Sequence, residues 1–353
     1  MSRRYQGGFV TATEVTTSST VASGVFSIEQ QIVKKKGGEW VQPLNRCLVA
    51  GGNDGTGATN VIEFFDPTSD GNATDFGDLI AAASSMGGAS SSTRGLFFGG
   101  NHGNKTIDFV TLASTGDAQD FGDITNDFGN TDPAAMASNG TIAVFAGGQS
   151  QALGNDTSRI CKVTIASQGN TTDFTGDAGS VTITQHDTVI NSGSGTQGMI
   201  NNTTRFIITG NSDGTSENSR MNTITLVNFD ANSQSSDFGN ATISATERMG
   251  HSSSTRGVMA GGNTSGGNSN VIDFITLAST GDATDFGDLT AARKLGAGTG
   301  NKEIACFAGG GFSNVNIIDK VTIASAGNAT DFGDLARTVT RVSSCCNLHG
   351  GIA

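Results

Sequence analysis

Short apolar runs, each closed by paired glycines, set the rhythm of the chain. "CLVAGG" (47–52), "RGLFFGG" (94–100), "TIAVFAGG" (141–148), "RGVMAGG" (256–262) and "IACFAGG" (304–310) put the second glycine of the pair at 52, 100, 148, 262 and 310, with "FIITG" ending at 210 as a degenerate copy. Runs of this length with glycine at the end read as buried strands rather than helices. A small-residue stretch precedes the run in several copies, as in "MGGASSST" and "MGHSSST". An alternating stretch follows, as in "TIDFVTLAST" (106–115) and "VIDFITLAST" (271–280), the period-2 pattern of a half-buried strand. The copy then ends on a segment that recurs letter for letter: "GNATDFGDL" stands at 71–79 and again at 327–335, with relatives beginning at 116, 169, 232 and 281.

Four strands in a period near 50 residues is the signature of a β-propeller blade. Phe76, Phe121, Phe174, Phe238, Phe286 and Phe332 occur once per copy, so six blades are expected. A large ring at a fixed place in each outer strand is expected to wedge between neighbouring sheets. Glycine followed by Asp or Asn ahead of that strand predicts a type II′ hairpin turn, and the Asp residues predict turn caps. The first copy arrives at "NRCLVAGG" without a small-residue strand, whereas "ARTVTRVSSCCNLHGGIA" after the sixth has that character. The C-terminal segment is therefore expected to complete blade one and remove the open edge between first and last blades. This places Cys345 or Cys346 beside Cys47 across the seam, as buried free thiols or as a cross-strand disulfide; the thiol state is the one expected of a chain made in the cytoplasm.

Composition supports an all-β reading: among 353 residues there are 51 Gly, 3 Pro, 20 Phe, and single Trp and Tyr. Formal net charge is −12, the wrong sign for a phosphate-binding surface, so no nucleic-acid partner is expected. The one basic run, "VKKKGG", reads as a solvated helix end. No run of 18 apolar residues is present and the first residues lack a secretory core, so neither membrane insertion nor export is expected.

Candidate chemistry is sparse. Five cysteines show no CxxC spacing and make neither a zinc site nor a disulfide framework. "GAGTGNK" (296–302) lacks the adjacent Gly-Lys-Ser/Thr of a phosphate loop and reads as a loop between strands. "NDGTGA" and "SDGTSE" resemble Asp-rich calcium loops without the full ligand spacing, and read as turns. His102, His186, His251 and His349 are scattered and read as surface or turn residues. Asp75, Asp120, Asp285 and Asp331 should ring one rim, too widely spread to converge on a cation. No catalytic residue, metal or cofactor is expected. The longest departures from the repeat, 156–198 and 211–222, carry the extra length that contact could use.

"RGLFFGG…TIDFVTL…TDFGDLT" resembles the kelch repeat over about residues 45–353, with Phe where kelch repeats carry Tyr and Trp. The Gly/Asp/Phe-rich form is similar to repeats in structural proteins of marine tailed bacteriophages. Residues 1–44 add a second resemblance: "GGFVTATEVTTSSTVASGVFSIEQQIVKKKGGEW" is similar to N-terminal segments of phage tail and virion-appendage proteins. Here Ser27 and Gln30 form a capping box for one short helix that Gly37 and Gly38 stop. A helix of about ten residues does not stand alone in water, so the arm is expected to order against another protein. Tyr5, Phe9, Val25, Phe26, Ile28 and Trp40 are its candidate anchors. The resemblance implies a virion structural protein made in the host cytoplasm and present in several copies per particle. Its arm (1–44) would meet portal, adaptor or tail components, and its propeller (45–353) would decorate the particle or touch a host receptor or glycan. A carbohydrate-binding or carbohydrate-active propeller and a kelch-type protein-binding adaptor are the alternatives.

Overall fold

The computed structural model describes residues 44–100, 105–124, 135–146, 160–174, 200–209, 220–229, 235–311 and 313–352, with the backbone of short strands at 149–150, 155–156 and 197–198. The chain divides at Leu44/Asn45. The expected helix and all six candidate anchors lie outside the described residues.

Residues 45–352 form six small sheets arranged in a ring, a six-bladed β-propeller, with no helix among the described residues. Blade 2 shows the plan: Gly87–Ser90 innermost, then Arg94–Phe98, Thr106–Thr111 and Gln119–Asp123 at the perimeter, each antiparallel to the next. Blade 5 (Met249–Ser252, Arg256–Ala260, Val271–Thr276, Thr284–Asp288) and blade 6 (Ala297–Gly300, Ile304–Ala308, Val315–Thr322, Thr330–Val339) repeat it. Blade 3 repeats it with a two-residue outer strand, Thr172–Asp173. Blade 4 comprises Arg205–Ile208, Thr223–Asn228 and Ser236–Asn240, with Gln197–Gly198 toward the axis.

Blade 1 takes Cys47–Ala50, Thr59–Phe65 and Thr74–Ala83 from the front of the propeller and its innermost strand, Ser343–Cys346, from the end. The closing pairing is antiparallel and sets Cys47 opposite Cys346 and Leu48 opposite Cys345. "GAGTGNK", read from sequence as a loop, contains the innermost strand of blade 6, Ala297–Gly300. Glycine and threonine are what that crowded position admits, so the feature that imitated a nucleotide loop is a packing requirement.

The reversal between third and fourth strands also differs from expectation. It occurs before the glycine, in turns such as Thr111–Ser114 and Thr276–Ser279, where the Ser amide reaches the Thr carbonyl at 3.3 and 3.4 Å. The glycine that follows has a positive φ, 151° at Gly116 and 155° at Gly281, far from the roughly 60° of a II′ turn, and belongs to none. The paired glycines at the second strand do use left-handed backbone: Gly51 and Gly52 have φ of 62° and 95°, Gly309 and Gly310 66° and 99°. A Cβ on Gly51 would fall 2.5 Å from the Ala83 carbonyl oxygen, so conformation and space both demand glycine.

Candidate functional site

Blade-to-blade joints are where the repeated segment acts, and each half of "GNATDFGDL" has its own task. In every described outer strand from blades 1, 2, 4, 5 and 6, the ladder register skips the Phe: Ile62 faces Gly77 while Glu63 faces Asp75, and Ile318 faces Gly333 while Asp319 faces Asp331. The same one-residue bulge leaves out Phe121, Phe238 and Phe286. A bulge breaks the two-residue alternation and re-aims a side chain. Phe76 and Leu79, three apart, are thereby both buried, with Phe76 packed among Leu48 and Ile62 of its own blade and Phe97, Val110 and Leu112 of the next. Phe286 meets Phe307, Val321 and Ile323 of blade 6 in the same way, Phe174 meets Phe206 and Phe229 of blade 4, and Phe332 meets Phe65 of blade 1 at 5.2 Å between centroids.

The Gly-Asn/Asp-Ala half hooks onto the bulge of the preceding blade. At the joint between blades 1 and 2, Gly116 N–H donates to Phe76 O at 2.7 Å, Ala118 N–H to Asp78 O at 2.8 Å, and Asp117 Oδ1 accepts from Asp78 N–H at 3.0 Å. Between blades 5 and 6 the corresponding distances are 2.7 Å (Gly327 to Phe286), 2.8 Å (Ala329 to Asp288) and 3.0 Å (Asp288 to Asn328). The blade 6–blade 1 joint uses Gly71, Asn72 and Ala73, so the covalent break in the ring is clasped like the others. Three bonds per joint occupy the outer edge of each bulged strand, an edge that would otherwise invite foreign strands. The approach is close: a Cβ on Gly77 would lie 2.5 Å from Gly116 O. The Asp residues expected as turn caps thus split in role. Asp117 and Asp282 bond the preceding blade, whereas Asp75, Asp285 and Asp331 are exposed.

A second layer of joints is charged. The third strand carries a buried carboxylate in four blades: Glu63, Asp108, Asp273 and Asp319. Three of them receive a guanidinium from the preceding outer strand or from the segment that follows it: Arg337, in the strand, to Glu63 at 2.9 Å, and Arg248 to Asp273 at 2.7 Å and Arg293 to Asp319 at 2.8 Å from the linking segments. Each guanidinium also donates to backbone carbonyls, such as Gly51 and Val61 for Arg337 and Gly261 and Met259 for Arg248. The three arginines stand at three different positions relative to the following inner strand, which hides the pattern from a repeat alignment. Burial lowers the pKa of Arg248 and Arg293 while the facing carboxylates raise it. Breaking such a pair leaves one charge buried alone, at a cost of about 3–5 kcal/mol.

Toward the axis the small residues let inner strands touch. A Cβ on Gly88 would fall 2.1 Å from Ser344 O, and one on Gly298 2.2 Å from Gly250 O. Side chains then stitch the ring: Ser90 Oγ–H donates to Cys346 O, Ser138 Oγ–H to Ser90 O and Asn201 Nδ2–H to Ser138 O, each at 2.6 Å. Ser252 Oγ–H donates to Asn201 O at 2.7 Å, and the His251 ring to Asn301 O at 2.9 Å. The residues after the closing strand fold over this mouth. His349 Nε2 donates to Ser90 O at 3.1 Å and Gly350 N–H to Ser252 O at 3.0 Å. His251 and His349, read from sequence as surface or turn residues, are wholly buried. Burial drives their pKa down to about 4 and about 3, so both are neutral at physiological pH. Single-sequence reading had no signal for this, because the burial comes from residues of four blades converging on the axis.

All five cysteines are buried free thiols. Cys47 and Cys346 face each other with Cys306 in one apolar cluster, whereas Cys345 lies in the core between blades 1 and 2. Burial raises the thiol pKa well above its usual value at Cys47 and to about 11 at Cys346, which keeps these groups protonated and unreactive.

"NDGTGA" is a turn in which Asp54 Oδ1 accepts from Thr56 N–H at 2.8 Å and Gly57 N–H at 3.1 Å. Among the described residues no group of three His, Cys, Asp or Glu side chains converges as a metal site, and Asp75, Asp120, Asp285 and Asp331 stand on separate blades. Two equivalent surface clefts, in blades 2 and 5, lie toward the perimeter and are lined by Phe109, Ser114 and Asp117 and by Phe274, Ser279 and Asp282. No helix among the described residues is long and apolar enough to cross a membrane. Of the segments singled out for extra length, 175–196 and 211–219 lie outside the described residues, as do His102 and His186. No protein-family model matches the sequence. A search of curated proteins finds no relative.

Proposed function

We propose that this chain is a structural component of a tailed-bacteriophage particle, attached through residues 1–44 and presenting residues 45–353 as a rigid head. The observation that carries the reading is the filled axis. Propellers that act on ligands use the central channel and the loops around its mouth. Here the channel is taken up by glycine-to-carbonyl packing, two neutral histidines and the chain's own C-terminal residues. Every described clasp spends its polar groups on the neighbouring blade, which suits a part that must keep its shape while exposed. The resemblance of the arm and of the "GNATDFGDL" segment to phage appendage proteins supplies the particle.

Mass spectrometry and labelled-antibody imaging of purified particles test this. The expected result is full-length chain at a fixed site on the particle, in several copies. Its absence from washed particles, with the chain free in infected cells, would overturn the reading. Glycan attachment is a second reading, favoured by the paired perimeter clefts, where hydroxyls and a carboxylate surround a Phe ring. A glycan array probed with the full chain tests it, and binding unaffected by Asp117→Ala and Asp282→Ala would place the contact elsewhere.

A further inference from the structure

One joint departs from the charged pattern. Asp108 stands on blade 2 where Asp273 and Asp319 stand on blades 5 and 6, each at the ladder position just before the skipped Phe. It is 5% exposed, yet among the described residues no guanidinium reaches it and its Oδ1 meets no donor from the facing blade. The reason is visible by superposing joints. Arg248 immediately precedes an inner strand, follows a residue with φ of 58°, and lies over Gly262, whose Cβ would be 2.8 Å from Arg248 Cγ. Met86 immediately precedes the inner strand of blade 2, follows Ser85 at φ 56°, and lies over Gly100 with the matching distance of 2.9 Å. A thioether therefore occupies the place of a guanidinium.

The second oxygen gets no hydroxyl from the facing blade, for an equally local reason. Asp319 accepts from the Thr290 amide at 3.1 Å and from the Thr290 hydroxyl at 2.6 Å. At the same position Ile80 supplies the amide, at 3.0 Å, and no hydroxyl. Ile80 is one of two large apolar side chains exposed among the described residues.

We propose that the joint between blades 1 and 2 is a pH-responsive seam: it is weakened while Asp108 is charged, and tightened when a proton takes the role that an arginine fills at three other joints. Among the described residues, the groups around Asp108 supply no cation. Its own strand gives the Thr106 hydroxyl, and the outer strand of its blade gives Asp120, whose charge opposes ionisation. On the inner side Phe97 is its ladder partner, and the one charge of that strand, Arg94, is spent on Ile165 O. The facing strand of blade 1 carries the Ile80 amide and, at its exposed end, Asp75 and Asp78. Desolvation accordingly raises the Asp108 pKa, with Asp120 adding to it. A folded pKa above the unfolded one means that the cost of ionisation is absent at low pH and grows as pH rises through the folded value.

Four single variants of the full chain, one of them a control, followed by thermal unfolding and by hydrogen exchange from pH 4.5 to 8, test the seam. Asp108→Asn is expected to unfold about 2–4 °C higher than wild type at pH 7.5, with the difference narrowing as pH falls toward 4.5. Ile80→Thr and Met86→Arg are expected to stabilise at pH 7.5 as well, by supplying the hydroxyl and the guanidinium. In wild type, exchange of amides in 76–83 and 105–111 should slow on acidification relative to the blade 5–blade 6 joint, by about threefold or more, and Asp108→Asn should abolish that difference. Asp319→Asn, the control, should destabilise at neutral pH. The proposal is overturned if Asp108→Asn destabilises at pH 7.5 as Asp319→Asn does, or if the exchange of 76–83 follows that of the other joints at every pH.

Discussion

At the scale of single residues, the joints turn on two kinds of glycine that look alike in the sequence. Gly287 has φ of 148°, and a Cβ there would sit 2.5 Å from Gly327 O, whereas Gly327, its partner across the same joint, has open space around its Cα. Gly287→Ala should cost roughly 1–3 kcal/mol through strain and the displaced clasp, and Gly327→Ala well under 1 kcal/mol. Chemical denaturation of the two variants checks this; equal losses would show that the close approach is not what selects glycine. The repeat made all these glycines visible as positions. Which of them tolerate a side chain depended on the carbonyl of another blade.

At the scale of elements, the outer strand is the part most misread by period-2 reasoning. Phe76 and Leu79 are three residues apart and both buried, a spacing no regular strand allows; that spacing, recurring as Phe-Gly-Asp-Leu, was the available signal for a bulge. The bulge swings one ring per blade into the next sheet, so stability is shared between neighbours rather than held within a blade. Phe286→Ala should therefore cost about 3–5 kcal/mol and loosen blade 6 as much as blade 5. Hydrogen exchange reads this directly, with faster exchange expected in 304–308 and 318–323 as well as in 284–289. Loosening confined to blade 5 would count against shared joints. The charged layer was illegible for a related reason. Three arginines reach equivalent carboxylates from three unequal chain positions, so side-chain length and direction, not sequence register, bring them together.

For the whole molecule, closure rests on ten residues from the far end of the propeller, 343–352, which supply one strand and the cover over the axis. A chain ending at Val342 should lose cooperative unfolding, because it leaves Cys47–Ala50 as a buried strand without its partner. A chain ending at Cys346 keeps the strand and should stay folded with a lower Tm. The chain ending at Cys346 and the full chain differ also in acid. His251 and His349 bind protons in the unfolded chain near pH 6.5 and resist them in the fold down to about 4 and about 3. Their contribution is intact above pH 6.5 and is lost as pH falls toward those values, opposite in sign to that of Asp108. The chain ending at Cys346 lacks His349, so its Tm should fall less steeply than that of the full chain between pH 6.5 and 4. Parallel slopes would remove His349 from the acid response.

The sequence by itself determined the number of blades, the order of strands within each, the once-per-blade Phe and the use of the C-terminal segment to close the ring. Period and residue size are properties of the local chain, and they suffice for these. Only the tertiary structure decided what the repeated nonapeptide is for, which carboxylates have partners, and that two histidines lie at the axis. Those are facts about atoms brought within 3 Å from different blades, and the energies concerned, buried charges and backbone clasps, exist only once the ring has shut out water.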